Sequence, residues 1–246
     1  MSRHPTAMRS IALIIAIIAA TAGACTTSDT TTESTTPSTV TTVPLSVVPL
    51  DYQGFLRQPT ACGAEQPATA VDMKFDAPGD ANVEGPTTVT LSTSCGPIVI
   101  DLDPGTAPET VNSFVFLAEE GYFDGTVSHR VIPGFMMQAG DPTATGFGGP
   151  GYTIPDELPG EGMTYERGVA AMANSGPETA GSQFFILFGD ADWLPPSYSI
   201  FGRVVDGFAT LDAIEAIPLA QSPTSSDSTP TTPLNSLFIE SVTVSR

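Results

Sequence analysis

The stretch Ser128-His129-Arg130-Val131-Ile132-Pro133-Gly134-Phe135-Met136-Met137-Gln138-Ala139-Gly140-Asp141 sets one arginine inside a largely apolar string. Short apolar strands are expected around Val131 and Met136. Further along, Met172-Ala173-Asn174-Ser175-Gly176-Pro177, Gly181-Ser182-Gln183-Phe184-Phe185-Ile186 and Trp193-Leu194 add amides and large apolar side chains. No acid, base or nucleophile pair stands among them. The combination points to catalysis in which no bond is broken.

Working outward, Val89, Leu91, Ile98, Ile100 and Leu102 alternate with polar or outward positions as a hairpin would, with Cys95-Gly96-Pro97 as its turn. Thr106-Ala107-Pro108-Glu109 matches a capping box with proline in the first turn, and Val111, Phe114, Val115 and Ala118 fall on one helical face before Gly121. Short strands follow at Val169 to Met172, Phe184 to Phe188 and Phe201 to Val204. A second helix is expected near Phe208 to Ile217, with Phe208, Leu211 and Ile214 inward. Gln221 to Asn235 reads as a Ser/Thr/Pro loop, and Leu237 to Val244 as a closing strand. Many short strands with two helices predict a mainly β fold, a closed barrel capped by helices, which also removes sheet edges.

The ends of the chain read differently. Residues 1–24 carry Arg3 and Arg9, then the wholly apolar Ile11 to Ala20, then Ala22-Gly23-Ala24 before Cys25, which predicts an export signal. Small residues ending at a cysteine resemble a bacterial lipobox, so Cys25 is the expected lipidation site; a plain signal peptide with an incidental cysteine is the alternative. Residues 25–42 are a Ser/Thr-rich tether that buries too little to order itself. Residues 43–85 are taken as an extension pinned to the domain at 86–246. With Cys25 lipidated, Cys62 and Cys95 form an even pair in an oxidising compartment, which favours a disulfide over two separate thiols. No metal site is expected from two cysteines and His129 without close spacing.

The chain carries a net charge of -19, and loss of the signal leaves 27 acidic residues against six basic ones. A domain this acidic repels phosphate backbones, which excludes nucleic acid as the expected partner. Lys74 is the only lysine. Such usage, rich in alanine and threonine, suits a high-GC actinobacterium.

Several motif-like strings carry no chemistry. Gly146-Phe147-Gly148-Gly149-Pro150-Gly151 spells a dinucleotide fingerprint, but Pro150 interrupts it and no crossover helix follows, so it is read as a loop. His129 has no nearby serine nucleophile, which argues against a hydrolase triad. Asp156 and Glu157 lie in a Pro/Gly-rich turn and are read as structural or solvated.

HRVIPGFMMQAGDPTATG, MANSGPETAGSQFFI and WLPPSYSIFGRV, in that order, resemble the cyclophilin family of peptidyl-prolyl isomerases, with the match running from Thr87 to Arg246. The resemblance implies an eight-stranded closed β-barrel with two capping helices and an active groove on its outer face. It implies Arg130 as the catalytic arginine and Phe135, Met136, Phe185 and Leu194 as walls of a proline pocket. Gln138, Ala173, Asn174 and Gln183 correspond to the groove for the substrate backbone, with His129 and Trp193 at its rim. Tyr198 stands where many members carry a pocket-edge histidine, which predicts altered sequence preference or inhibitor affinity. The implied ligands are proline-containing peptides, unfolded exported proteins and cyclosporin-like inhibitors; no cofactor is needed.

The chemistry agrees with that resemblance. An X-Pro bond crosses a barrier of about 18–20 kcal/mol because twisting destroys amide resonance. In the twisted state the proline nitrogen regains a lone pair, and a fixed guanidinium donating to it stabilises that state over both planar forms. Two competing explanations remain at the sequence level. The apolar residues could be ordinary barrel core and Arg130 half of a surface ion pair, or the groove could hold proline segments as a binding module with little turnover.

Overall fold

The computed structural model describes residues 48–246. Thr87–Thr93 (β1) and Gly96–Leu102 (β2) form the expected hairpin, in register from Thr87 opposite Leu102 to Thr93 opposite Gly96. The strands at Arg130–Ile132 (β3), Met136–Ala139 (β4), Val169–Met172 (β5), Phe184–Leu187 (β6) and Ile200–Asp206 (β7) follow the predicted apolar runs. Leu219–Ala220 (β8) pairs with Thr232–Pro233 (β9), and Ile239–Ser245 (β10) ends the fold. Eight strands make one antiparallel sheet in the order β10-β1-β2-β7-β5-β6-β4-β3.

That sheet curls strongly, but its closure is less complete than a barrel with a continuous ladder. Between its end strands, β3 and β10, the contact is a single bridge of the residues just before them, Val127 opposite Phe238, flanked by Ser128 N–H to Leu237 C=O (2.9 Å) and Ile239 N–H to Thr126 C=O (2.8 Å). The reason lies beside β3. The Val131 N–H donates to Thr231 C=O (2.8 Å), so the loop before β9 occupies the edge that a closing strand would have used.

Pro108–Glu119 (α2) lies on the inner face, where Phe114 stacks on Phe123 and Phe201 with centroids 4.9 and 4.8 Å away and meets Phe184 edge-on at 5.3 Å. Val111, Phe114, Val115 and Ala118 are buried as the helical spacing predicts. Full burial of each large apolar side chain stabilises the fold by roughly 1.5–3 kcal/mol. The start of α2 differs from the expected capping box. Thr106 bonds back to Asp103, the N-cap residue is Ala107 with no side-chain bond, and the N–H groups of Glu109 and Thr110 donate to the Glu157 carboxylate at 3.0 and 2.8 Å. Glu157 is therefore structural, because it answers the unpaired donors and positive end of a helix distant in sequence.

In Phe208–Glu215 (α3), Leu211 and Ile214 are buried as expected, whereas Phe208 is 39% exposed. Its ring lies under the Arg167 guanidinium, 5.6 Å from the centroid, which corrects its inward assignment.

The extension is held to the loops between the strands by several specific bonds. Tyr52 opens a short helix, Tyr52–Phe55 (α1); its N–H donates to Thr143 C=O and its hydroxyl to Gly125 C=O, both at 2.8 Å. Ser236 is bound to Phe55, Pro59 and Ala61, and Phe75 N–H donates to Pro150 C=O (2.7 Å). Cys62 and Cys95 are joined in a disulfide, tying the extension to the turn of the first hairpin. The signal, the lipidation at Cys25 and the tether fall outside the described residues.

Candidate functional site

Strand register builds the site. Arg130 pairs with Gln138 across β3 and β4, Gln138 with Phe185 across β4 and β6, Phe185 with Ala171 across β6 and β5, and Ala171 with Ile200 across β5 and β7. Directly opposed residues share a face of the sheet, so these side chains form one row. Their sequence neighbours Val131, Met137, Phe184, Ala170 and Phe201 belong to the inner core. Met136, Phe185, Leu187, Val169, Ala171 and Ile200 instead form a second cluster on the outer face, joined by Phe135, Leu194 and Tyr198. The strands are thus apolar on both faces for two different reasons. The inner residues stabilise the fold, and of the outer cluster Phe135, Met136, Phe185, Leu194 and Tyr198 wall a cavity.

That cavity, of about 560 Å³, is lined by Arg130, Ile132, Phe135, Met136, Gln138, Ala173, Asn174, Phe185, Trp193, Leu194 and Tyr198. Asp227, Ser228 and Thr229 from the loop before β9 complete it. Phe135 meets Trp193 at 4.8 Å between centroids and Phe185 at 6.4 Å, while Tyr198 meets Phe185 edge-on at 5.5 Å. Trp193 is 67% exposed and marks the rim.

Polar groups along one side of the cavity form a connected chain. Arg130 Nη1 donates to Gln138 Oε1 (3.1 Å), Gln138 Nε2 donates to Gln183 Oε1 (2.9 Å), and Gln183 Nε2 donates to the carbonyls of Gly146 (3.0 Å) and Gly148 (2.9 Å). The far end of this chain rests on Asp141, which is fully buried and accepts from the N–H groups of Thr143, Gly146 and Gly148 and from the Thr143 hydroxyl. Burial pushes the Asp141 carboxyl up, but these donors outweigh it and hold its pKa below the ordinary value. A Cβ at Gly148 would collide with Asp141 Oδ1, so only glycine fits there. The apparent dinucleotide fingerprint is this loop.

Gln183 lines an adjoining groove of about 450 Å³ that it shares with Gln138, Ala173 and Asn174, and to which the extension contributes Lys74. The Asn174 side chain is occupied by structure, donating to Ser197 C=O (2.9 Å) and accepting from Gly176 N–H (3.2 Å). What it offers a ligand is therefore its backbone. His129 does not line the cavity that holds Phe135 and Trp193. It lines a second cavity, whose walls also include Arg130 and Gln138; among the described residues its Nδ1 is buried without a hydrogen-bond partner, and burial lowers its pKa to about 4.

The sequence reading missed Asp227. Its carboxylate accepts from Arg130 Nε (2.8 Å) and Nη2 (2.5 Å), and this pairing with Arg130 holds its pKa down at about 2 against the opposing effect of burial. The one signal it left was compositional: Asp227 is the only charged residue between Gln221 and Asn235.

Comparisons with known proteins fit this geometry. The sequence pattern of the family described as "Cyclophilin type peptidyl-prolyl cis-trans isomerase/CLD" matches residues 88–244. The chain is 41% identical over 159 residues to "Peptidyl-prolyl cis-trans isomerase-like 3" of Rattus norvegicus, covering 63% of this chain and 94% of that protein. It is 48% identical over 134 residues to "Peptidyl-prolyl cis-trans isomerase-like 2" of Cryptococcus neoformans, a match to 52% of this chain but only 23% of that longer protein. A Cryptosporidium parvum cyclophilin type peptidyl-prolyl cis-trans isomerase, solved in the presence of the dipeptide Ala-Pro, superposes with a TM-score of 0.59 at 33% identity, covering 65% of this chain and 99% of that one. An arginine on the wall of an outer-face apolar cavity, on a curled eight-stranded sheet, and a family pattern matched along residues 88–244 place this chain in the cyclophilin-type peptidyl-prolyl cis-trans isomerase family.

Proposed function

We propose that this protein accelerates cis–trans rotation of X-Pro bonds in exported proteins, and that Arg130 carries the catalytic step. The observation that carries the reading is the placement of the Arg130 guanidinium on the wall of the same cavity as Phe135, Met136, Phe185 and Leu194. The apolar side chains hold the pyrrolidine ring out of water, which fixes one side of the bond. Gln138 and the backbone of Ala173 and Asn174 hold the peptide on the other side. As the amide twists, the proline nitrogen becomes a hydrogen-bond acceptor, and an N–H of Arg130 donates to it. That bond exists only in the twisted state, so it lowers the barrier without tightening ground-state binding. No covalent bond forms or breaks, and no proton is transferred.

The setting we propose is the outer face of a bacterial membrane, with Cys25 lipidated and residues 25–42 as the tether. This rests on the charged, apolar and small-residue order of residues 1–25 and on the Cys62 to Cys95 disulfide, a bond that persists in oxidising compartments. Cyclosporin-like inhibitors are expected to compete for the same cavity, with an affinity altered by the Tyr198 ring. The full-length chain should shorten the tens of seconds that uncatalysed exchange takes in a proline tetrapeptide. Peptide binding without faster exchange would instead support a binding module.

A further inference from the structure

An arginine catalyses a rotation only if its own plane stays fixed while the substrate turns. Its side chain is long and flexible, and a shift of about 1 Å at a reacting group can cost on the order of 10²-fold in rate. Gln138 alone would give Arg130 one hydrogen bond, through Nη1. Asp227 adds a two-point contact along the opposite edge, Nε and Nη2, in the planar fork geometry that restricts both rotation and tilt. A guanidinium has five N–H groups, and these contacts engage three of them. The two left without a partner among the described residues belong to Nη1 and Nη2.

Asp227 is itself held in place. Its Oδ2 accepts from the Ser225 and Thr231 hydroxyls, both at 2.9 Å, its N–H donates to Ser225 Oγ (3.0 Å), and its carbonyl accepts from Gln221 Nε2 (2.8 Å). The Thr231 carbonyl also accepts the Val131 N–H, so the loop is attached to β3 through both the Arg130 side chain and the neighbouring backbone. The pair is partly shielded, with side-chain exposures of 34% for Arg130 and 15% for Asp227. An isolated surface pair would add little order; this one is anchored at both ends.

We propose that Asp227 is a positioning residue for the isomerisation, locking the Arg130 guanidinium so that its two unengaged N–H groups stay fixed at the cavity wall. The inference rests on the isomerase reading of this site. It makes the Ser/Thr/Pro loop between α3 and β10 part of the catalytic apparatus, although Asp227 itself need not touch the reacting amide.

The test compares the full-length protein with Asp227→Ala, Asp227→Asn and Asp227→Glu, measuring kcat and KM separately on a proline tetrapeptide, with thermal unfolding of each. Asp227→Ala should lower kcat about tenfold and leave KM within about twofold, because orientation rather than docking is lost. Asp227→Asn should fall between, and Asp227→Glu should recover most of the rate because it keeps the charged fork. In wild type the Arg130 Nε–H resonance should exchange slowly with solvent, and in Asp227→Ala it should not. An unchanged or raised kcat in a folded Asp227→Ala protein would overturn the proposal, a rise marking Asp227 as a brake on the arginine's charge. Equal losses in kcat and affinity would also overturn it. A wild-type protein without isomerase activity would overturn the functional reading itself, whereas an active wild type with an undiminished Asp227→Ala variant would overturn the role of Asp227 alone.

Discussion

Replacing Glu157 by alanine should destabilise the fold without touching the chemistry. The first turn of α2 has no side-chain cap of its own, and the N–H groups of Glu109 and Thr110 both depend on the Glu157 carboxylate. Losing a helix cap costs about 0.5–2 kcal/mol, and losing a negative charge near a helix N-terminus costs a further 0.3–1 kcal/mol or so. The two contributions overlap, since the same carboxylate supplies both, so the expected loss is about 2 kcal/mol for Glu157→Ala. Glu157→Gln keeps one acceptor and should lose about 1 kcal/mol. For a domain of this size each kcal/mol lowers Tm by roughly 2–4 °C, which predicts a fall of about 4–8 °C for the alanine variant and half that for glutamine. Calorimetric unfolding measures both. Isomerase rate per folded molecule should be unchanged, because Glu157 is not among the residues lining the cavity that holds Arg130. A Tm within about 1 °C of wild type for Glu157→Ala would show that water replaces the carboxylate at no cost, and would refute the capping argument.

Reduction of the Cys62 to Cys95 disulfide, which spans a sequence separation of 33, should lower stability by about 3–4 kcal/mol on the loop-entropy account; denaturant titration with and without reductant measures it, and exchange activity below the transition should persist. Stability should also fall as pH drops from about 6.5 towards 4: the unfolded chain protonates His129 near its ordinary pKa, whereas the native pKa is lowered to about 4 by burial. The linkage is worth up to about 3 kcal/mol. A His129→Asn variant should flatten that slope, and an unchanged slope would count against it. Asp227, with its pKa held near 2, contributes stability that is lost only at still lower pH, as the carboxylate facing Arg130 is neutralised.

Periodicity made most of the fold legible. Alternation in Val89, Leu91, Ile98 and Ile100 specified a half-buried hairpin, and the spacing of Val111, Phe114, Val115 and Ala118 specified the buried face of α2. Short runs such as Phe184 to Leu187 carry no alternation, because β6 is buried on both faces. Only its register with β4 and β5 separates inward Phe184 and Ile186 from outward Phe185 and Leu187. The resemblance in the motifs assigned one of the four, Phe185, to the pocket where hydropathy could not. Contacts made by distant, compositionally plain segments stayed hidden. Glu157 reaches α2 from 47 residues away, and Asp227 reaches Arg130 from 97, and no local pattern announces either. The local sequence at Thr106 to Glu109 even suggested a different cap, one that the bond between Thr106 and Asp103 displaces.

The central claim is that Arg130 stabilises the twisted amide, and substituting it is the most direct test. Arg130→Ala should lower kcat/KM on a proline tetrapeptide by on the order of 10²-fold, equivalent to roughly 3 kcal/mol of lost transition-state stabilisation. Peptide affinity, measured by titration, should change little, because the apolar walls of Phe135, Met136, Phe185 and Leu194 remain. A folded Arg130→Ala protein that exchanges X-Pro bonds at the wild-type rate would contradict the account.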